Sequence, residues 1–414
     1  MSSESIELIF DPLTLPTTQH RAGLAGLLVH VETLRRRGMG PLPKIEKDSD
    51  ERWRVCLSME ALQLLFNDLY SATLEEQQRP QKLSKGKGAS KEPLREETVV
   101  DPKTGKLKTV YIYPQIVPRA PFLLAMNAPE SWVKLWRDAA WAVIRPRPKQ
   151  RIPYEERAAG KNVSECSKVW KDLARFRKHM ASGRSWTVPV SGTLYIGAQD
   201  TTADAVPFLG RPDEALLLHF WSIVARIYVP EVLDREGNAR QDGYVLALPD
   251  VTDFAGFLTD FPQATAQLST EVAGFRPRAA LISVPQEAAL EYAAGLQALA
   301  RADYAETELA LTTAAVEVFH LSKQGNNIPL LSTCRISLTP ANLAGYKAIR
   351  GVYRHTLFRR QMILNLLRGD AWYAGFDGVF SRNPKEYFLG LHASRFQQDV
   401  ASKFKLLKEQ ITND

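Results

Sequence analysis

His30 and Glu32 stand two residues apart, which is half of a zinc-deaminase signature. The other half is a Pro-Cys-x-x-Cys run that supplies the remaining ligands, and the sequence has none. The remaining histidines are scattered without a close pair at metal-ligand spacing. Asp250 and Asp253 lack the further neighbouring carboxylates of a two-metal nuclease centre. Asp101–Lys106 (DPKTGK) is faintly like a phosphorylated-aspartate motif, and a turn between two strands explains it better. No HExxH, Walker A, GxSxG or Rossmann run occurs. No catalytic residue, metal ligand or cofactor is therefore expected. The enzymatic alternative is a metal-dependent nuclease, or another nucleic-acid-processing enzyme, whose carboxylates meet only on folding.

Binding chemistry leaves a clearer trace. Lys and Arg neutralise phosphate whatever the base sequence. Arg145, Arg147, Lys149 and Arg151 crowd into RPRPKQR, which Pro146 and Pro148 are expected to hold extended. Lys168, Lys171, Arg175 and Lys178 follow at spacings of three, four and three, one face of a helix. Asp172 alone among them is acidic, so pairing along the helix leaves the stripe positive. Arg350 and Arg354 lie beside Tyr346 and Tyr353, a mixture that grips a single strand by charge and stacking or packs an ordinary helix through its tyrosines. Lys323, Gln324, Gly325, Asn326 and Asn327 suit a tight turn, and their amides are also of the kind that reads base edges or wedges a duplex. For each basic run the competing reading is a solvated face beside an acidic neighbour.

These side chains need elements to hold them. Ile6–Phe10 reads as a strand, and Thr17 or Thr18 as the cap of a helix whose apolar residues run from Leu24 to Leu34. Trp53–Leu57 is a second strand, with Ser58 capping a helix to about Glu75. Arg79–Lys91 reads as an exposed loop, and Glu97–Val100 with Leu107–Tyr113 as a hairpin. Trp132, Leu135, Trp136, Ala139, Ala140 and Val143 form a helical stripe that belongs in a core. The four-cation helix spans Ser164–Met180, with Cys166, Val169, Trp170, Leu173 and Phe176 on its apolar side. Further strands are expected at Thr187–Val190, Thr193–Ile196, Tyr244–Leu248 and Ala279–Val284. Helices are expected at Asp213–Ile227 and Gln286–Ala302. Val316–Ser322 and Ile328–Ile336 form a hairpin around KQGNN, and Ala341–Leu367, Trp372–Phe380 and Ser394–Ile411 complete the chain as helices. The fold class is α+β: a mixed strand/helix body over 1–338, with β-hairpins, and a helical bundle over 339–414.

Charge sharpens the picture. A net of +7 divides into −4 over residues 1–78, +14 over 79–184, −9 over 185–344 and +6 over 345–414. Two basic segments separated by an acidic one are a footprint of a phosphate-rich partner. Cys56, Cys166 and Cys334 are too few for a disulfide framework, so a reducing, cytoplasmic setting is expected. The first residues have no signal-peptide pattern. The most apolar stretch, Leu216–Val229, carries His219 and Arg226 and falls short of the roughly 20 residues that span a bilayer, so no membrane partner is expected.

Two segments add a family resemblance. LPTTQHRAGLAGLLVHVE (Leu15–Glu32) and GDAWYAGFDGVF (Gly369–Phe380) resemble the two ends of the large subunit of type I CRISPR effector (Cascade) complexes, in its Myxan-type branch. In the first segment Gly23 and Gly26 also permit close helix packing. The resemblance implies a non-catalytic subunit that binds the 5′ region of a guide RNA and the other Cascade subunits. It further implies reading of the motif beside target double-stranded DNA, help with R-loop formation and a hold on the displaced single strand. Recruitment of a helicase–nuclease or a transposition adaptor is implied as well, and a C-terminal bundle resembling the small subunit. Base pairing reads the long target in such systems, and protein reads a short duplex element.

Overall fold

Tyr244–Val251 is a strand buried along nearly its whole length, which requires a layer on each face. In the computed structural model the helix Thr18–Arg36 and the helix Glu287–Asp303 both pack on this strand. Described are residues 5–48, 52–83, 92–100, 105–192, 194–197, 206–234, 236, 238–303, 312–325, 327–389 and 394–413, the backbone alone at 298–303 and 410–413.

The central strand pairs antiparallel with Arg226–Leu233 on one side and Thr313–Leu321 on the other. Leu330–Ser337 continues the sheet beyond Thr313–Leu321. Ala239–Gln241 and Leu281–Ile282 both pair with Arg226–Leu233, the latter in parallel. A second sheet sets Trp53–Ser58 between Ser5–Phe10 and Lys44–Lys47. A third pairs Leu107–Pro118 with Ala72–Arg79 and Arg95–Val100, and most of its hairpin turn lies outside the described residues.

The first helix is buried from Ala22 to Val31. Any Cβ on Gly23 or Gly26 would collide with the carbonyl oxygens of Leu217 and Phe220, so these glycines let two backbones touch. Thr17 occupies the N-cap position, but its hydroxyl meets the His20 Nδ1 at 2.8 Å rather than a backbone amide. Ser58 caps as its sequence suggests, accepting from the Ala61 amide at 3.1 Å. The tryptophan stripe is core: Trp132 and Trp136 are buried, with their indole N–H groups on the Ser269 and Ser222 carbonyls.

Tertiary pairing overrides several local expectations. The helix capped by Ser58 stops at Leu69, because residues from Ala72 onward are drawn into the third sheet. The helical run from Asp213 breaks into Pro212–Leu217 and Trp221–Val224, and from Arg226 the chain enters the main sheet. Residues 194–197 form turns instead of a strand, and Thr193 lies outside the described residues. The strand expected at Ala279–Val284 shrinks to Leu281–Ile282. The long helix from Ala341 is two helices, Pro340–Val352 and Thr356–Arg368. The run from Trp372 turns helical only at Phe376.

Phe358, Phe376, Phe388 and Phe396 meet edge-on or tilted at the centre of the C-terminal helices, which include Ser394–Asn413. The α+β expectation is borne out, with helices gathered at the C-terminus. No helix among the described residues is long and apolar enough to cross a membrane.

Candidate nucleic-acid interface

The helix Glu165–Ala181 buries Cys166, Leu173 and Phe176 against the body. Lys168, Lys171, Arg175 and Lys178 are all exposed on its outer side. At a rise of 1.5 Å per residue the stripe is about 15 Å long. No carboxylate is ion-paired with any of the four among the described residues. Arg177, off the stripe, donates to the Ser5 carbonyl at 2.7 Å and ties the helix to the first strand. At the helix end the Trp186 ring stacks on His179 at 4.9 Å, with the Arg175 guanidinium 6.0 Å from the indole. Sequence reasoning missed Trp186. Its signal was a lone tryptophan following a Gly-containing stop, two residues past the end of the most basic segment.

Arg145–Arg151 is folded rather than extended, since Pro148–Arg151 forms a 3₁₀ turn. This divides its cations. Arg145 is buried and donates to the Tyr70 hydroxyl, which in turn meets His219 Nδ1 at 2.9 Å. Burial pulls His219 down to about 4, so its imidazole is neutral near pH 7 and suited to accept a hydrogen bond from the Tyr70 hydroxyl. Arg151 donates to the carbonyls of Trp141, Arg145 and Pro146 at 2.9–3.0 Å, with its guanidinium over the Trp141 ring. Arg147 and Lys149 remain exposed. Two of the four side chains thus hold the turn, and two face solvent.

At the C-terminus the basic–aromatic mixture resolves into packing. Tyr346 and Tyr353 are buried, so neither offers a stacking face. Tyr346 hydrogen-bonds Glu287 and Glu291, Arg350 pairs with Glu291 at 2.8 Å, and Arg359 pairs with Glu287. Arg354 is exposed.

Lys323, Gln324, Gly325 and Asn327 stand exposed at the tip of the outer hairpin, and Asn326 lies outside the described residues. Gln324 and Asn327 exchange backbone hydrogen bonds at 2.9 and 3.0 Å around Gly325, whose φ of +63° favours glycine. The exposed side-chain amides of Gln324 and Asn327 therefore flank this turn. A Cβ on Gly197 would lie 3.9 Å from Leu330, at the turn end of the hairpin, so the chain that follows the cationic helix passes beside it.

The carboxylates weighed for catalysis have structural partners. Asp250 bridges Arg21 and Arg335, and Asp253 caps a helix through the Gly256 amide at 3.1 Å. His30 is buried with Nε2 3.2 Å from the Leu65 carbonyl, and Glu32 pairs with Arg35 and Arg36 on the helix surface. Among the described residues no group of three His, Cys, Asp or Glu side chains could hold a metal ion.

The family model of the type I-B CRISPR Cas8b N-terminal domain matches residues 42–306. That of the Cas8b C-terminal domain matches residues 313–414. No curated protein matches the chain. Of the two segments that resemble a large subunit, Gly369–Phe380 lies inside the matched residues and Leu15–Glu32 precedes them. With matches over nearly the whole length, the chain belongs to the Cas8b family, the large subunits of type I-B CRISPR effector complexes.

Proposed function

We propose that this large subunit binds nucleic acid without chemistry of its own. Its phosphate contact is the outward stripe Lys168, Lys171, Arg175 and Lys178, assisted by Arg147, Lys149 and Arg354. The observation that carries the reading is a 15 Å row of exposed cations, about 1.5 Å per residue along one helix, with no carboxylate paired to it among the described residues. Such a row tracks a sugar–phosphate backbone, the target duplex or the displaced strand, while guide pairing reads the sequence. Lys323–Asn327 is the reader of the target-adjacent motif, because a glycine turn presents its amides at a protruding tip. Binding of the guide RNA 5′ region, support of the R-loop and recruitment of a nuclease or transposition adaptor complete the role. The C-terminal bundle, 339–414, occupies the place of a small subunit.

Charge reversal of all four stripe residues to Glu in the assembled complex should weaken DNA binding. The slope of log K against log salt should shrink by up to about 3–4, at roughly 0.9 per lost phosphate contact. An unchanged affinity and slope would remove the stripe from the interface. Replacing Gln324, Asn326 and Asn327 by Ala should reduce discrimination between correct and incorrect motifs by tenfold or more, at about 1–3 kcal/mol per base contact. Equal loss on all sequences would reassign the tip to plain backbone contact.

A further inference from the structure

Asp172, the one acid within the stripe, is half-buried and in no ion pair among the described residues. With Glu165, Lys168 and Val169 it lines a cavity of about 60 Å³ between the helices Glu165–Ala181 and Pro212–Leu217. Spacings of three, four and seven from Glu165 put these four on one side of their helix. Val188, Pro189, Leu194, Pro212 and Leu216 give the cavity apolar walls. Lys168 lines the cavity and is exposed in the stripe, so the cavity opens beside the first cation of the row.

His219 supplies the floor. It is 6% exposed, and its ring packs on Phe66 with centroids 4.8 Å apart. Arg145 donates to the Tyr70 hydroxyl, which leaves the hydroxyl proton for His219 Nδ1 at 2.9 Å. The neutral imidazole therefore carries its own proton on Nε2. That N–H, across the ring from Tyr70, has no partner among the described residues, and it is not sealed in as the unpaired Nδ1 of His30 is. A buried donor without an acceptor is costly, so the floor suits an occupant that accepts there. The Glu165 and Lys168 charges both act on the same ring.

An occupant of this cavity has to accept from Nε2–H, donate to a carboxylate and present apolar faces to the walls. It also arrives past a row of cations, which repels a lysine or arginine of a partner protein and attracts a phosphodiester. A nucleobase meets all of these conditions. At about 10–15 Å³ per water, a cavity of about 60 Å³ holds roughly four to six waters, the room of one six-membered ring rather than of a fused pair. We propose that the cavity receives one unstacked pyrimidine of the strand held by the stripe. Its amino or imino N–H donates to Asp172 or Glu165, and its ring-edge acceptor receives the His219 Nε2 proton. The site presupposes that the stripe binds phosphate, and adds a base contact to it.

Fluorescence anisotropy of the full chain with three labelled strands of equal length tests the site: oligo(dC), oligo(dA) and an abasic sugar–phosphate backbone. Equal phosphate number at one salt concentration holds the stripe's share fixed, so the differences read the bases. Oligo(dC) should bind about tenfold tighter than the abasic backbone and at least about threefold tighter than oligo(dA). Ala215→Phe, which fills the cavity from the helix Pro212–Leu217, should erase both differences. Asp172→Asn keeps the shape and makes the stripe more positive, so it should tighten binding of the abasic backbone while shrinking the oligo(dC) advantage. If Ala215→Phe fails to fold, Asp172→Asn decides alone. Oligo(dC) binding no tighter than either other strand, or an advantage undiminished in a folded variant, would overturn the site and leave the phosphate reading standing. Binding to none of the three strands would overturn both.

Discussion

Arg145 and Lys149 sit four residues apart in one basic run and have opposite roles. The Arg145 guanidinium is enclosed by Tyr70 and the 3₁₀ turn, whereas the Lys149 side chain is exposed. Arg145→Met should therefore lower stability by about 2–3 kcal/mol, since it leaves the buried Tyr70 hydroxyl short of a donor. Lys149→Met should stay within about 0.5 kcal/mol. Chemical denaturation of both variants checks the contrast, and equal effects would place Arg145 at the surface. Composition cannot separate these two cations, because an irregular segment has no period from which to read direction. The stripe from Lys168 to Lys178 was legible for the converse reason: a helix fixes which residues share a face.

Among the elements, the break between the helices Pro340–Val352 and Thr356–Arg368 has a cause distant in sequence. The Asp399 carboxylate, on the helix Ser394–Asn413, accepts from the Arg354 amide at 2.9 Å and the His355 amide at 2.7 Å. It caps the second helix from outside, while His355 at the N-cap position makes no capping bond of its own. Asp399→Ala should cost about 1–2 kcal/mol and speed hydrogen exchange at the start of Thr356–Arg368 more than elsewhere. Uniform exchange changes along the bundle would argue against the cap. A cap 45 residues away escapes local pattern reading, which is why the region from Ala341 to Leu367 looks continuous in sequence. The helix expected to reach Glu75 fails likewise, through pairing of Ala72–Arg79 with residues more than 30 positions downstream. Gly23 and Gly26 were legible as a close approach because small residues one turn apart have few other uses in a buried helix.

Across the whole molecule, burial sets the pH response. It lowers His20, His219 and His355 to about 4 each, and raises Glu291 to about 7. A histidine held at 4 when folded and 6.5 when unfolded favours unfolding as pH drops through that window. Glu291 acts in the opposite sense, gaining stability from pH 7 down to 4.5 as the folded carboxyl takes up its proton first. His30, wholly buried, is lowered as well, while burial raises Glu214, Glu231, Asp260, Glu317 and Asp399 by smaller amounts in the sense of Glu291. The large shifts are those of four histidines against one carboxyl, so the thermal midpoint should fall between about pH 6.5 and 4.5. A flat or rising midpoint would mean that the buried carboxyls together dominate. The alternation of charge along the chain predicted a surface with separate basic regions, yet it could not foresee that Arg350 and Arg359 would be taken up by Glu287 and Glu291 from the acidic segment. The main sheet joins what the two family models divide: Tyr244–Val251 belongs to the first match, and its neighbour Thr313–Leu321 to the second. During synthesis the first three hundred residues therefore emerge with the central strand's outer edge bare. That edge is a natural client for a chaperone until the next hairpin leaves the ribosome and zips onto it.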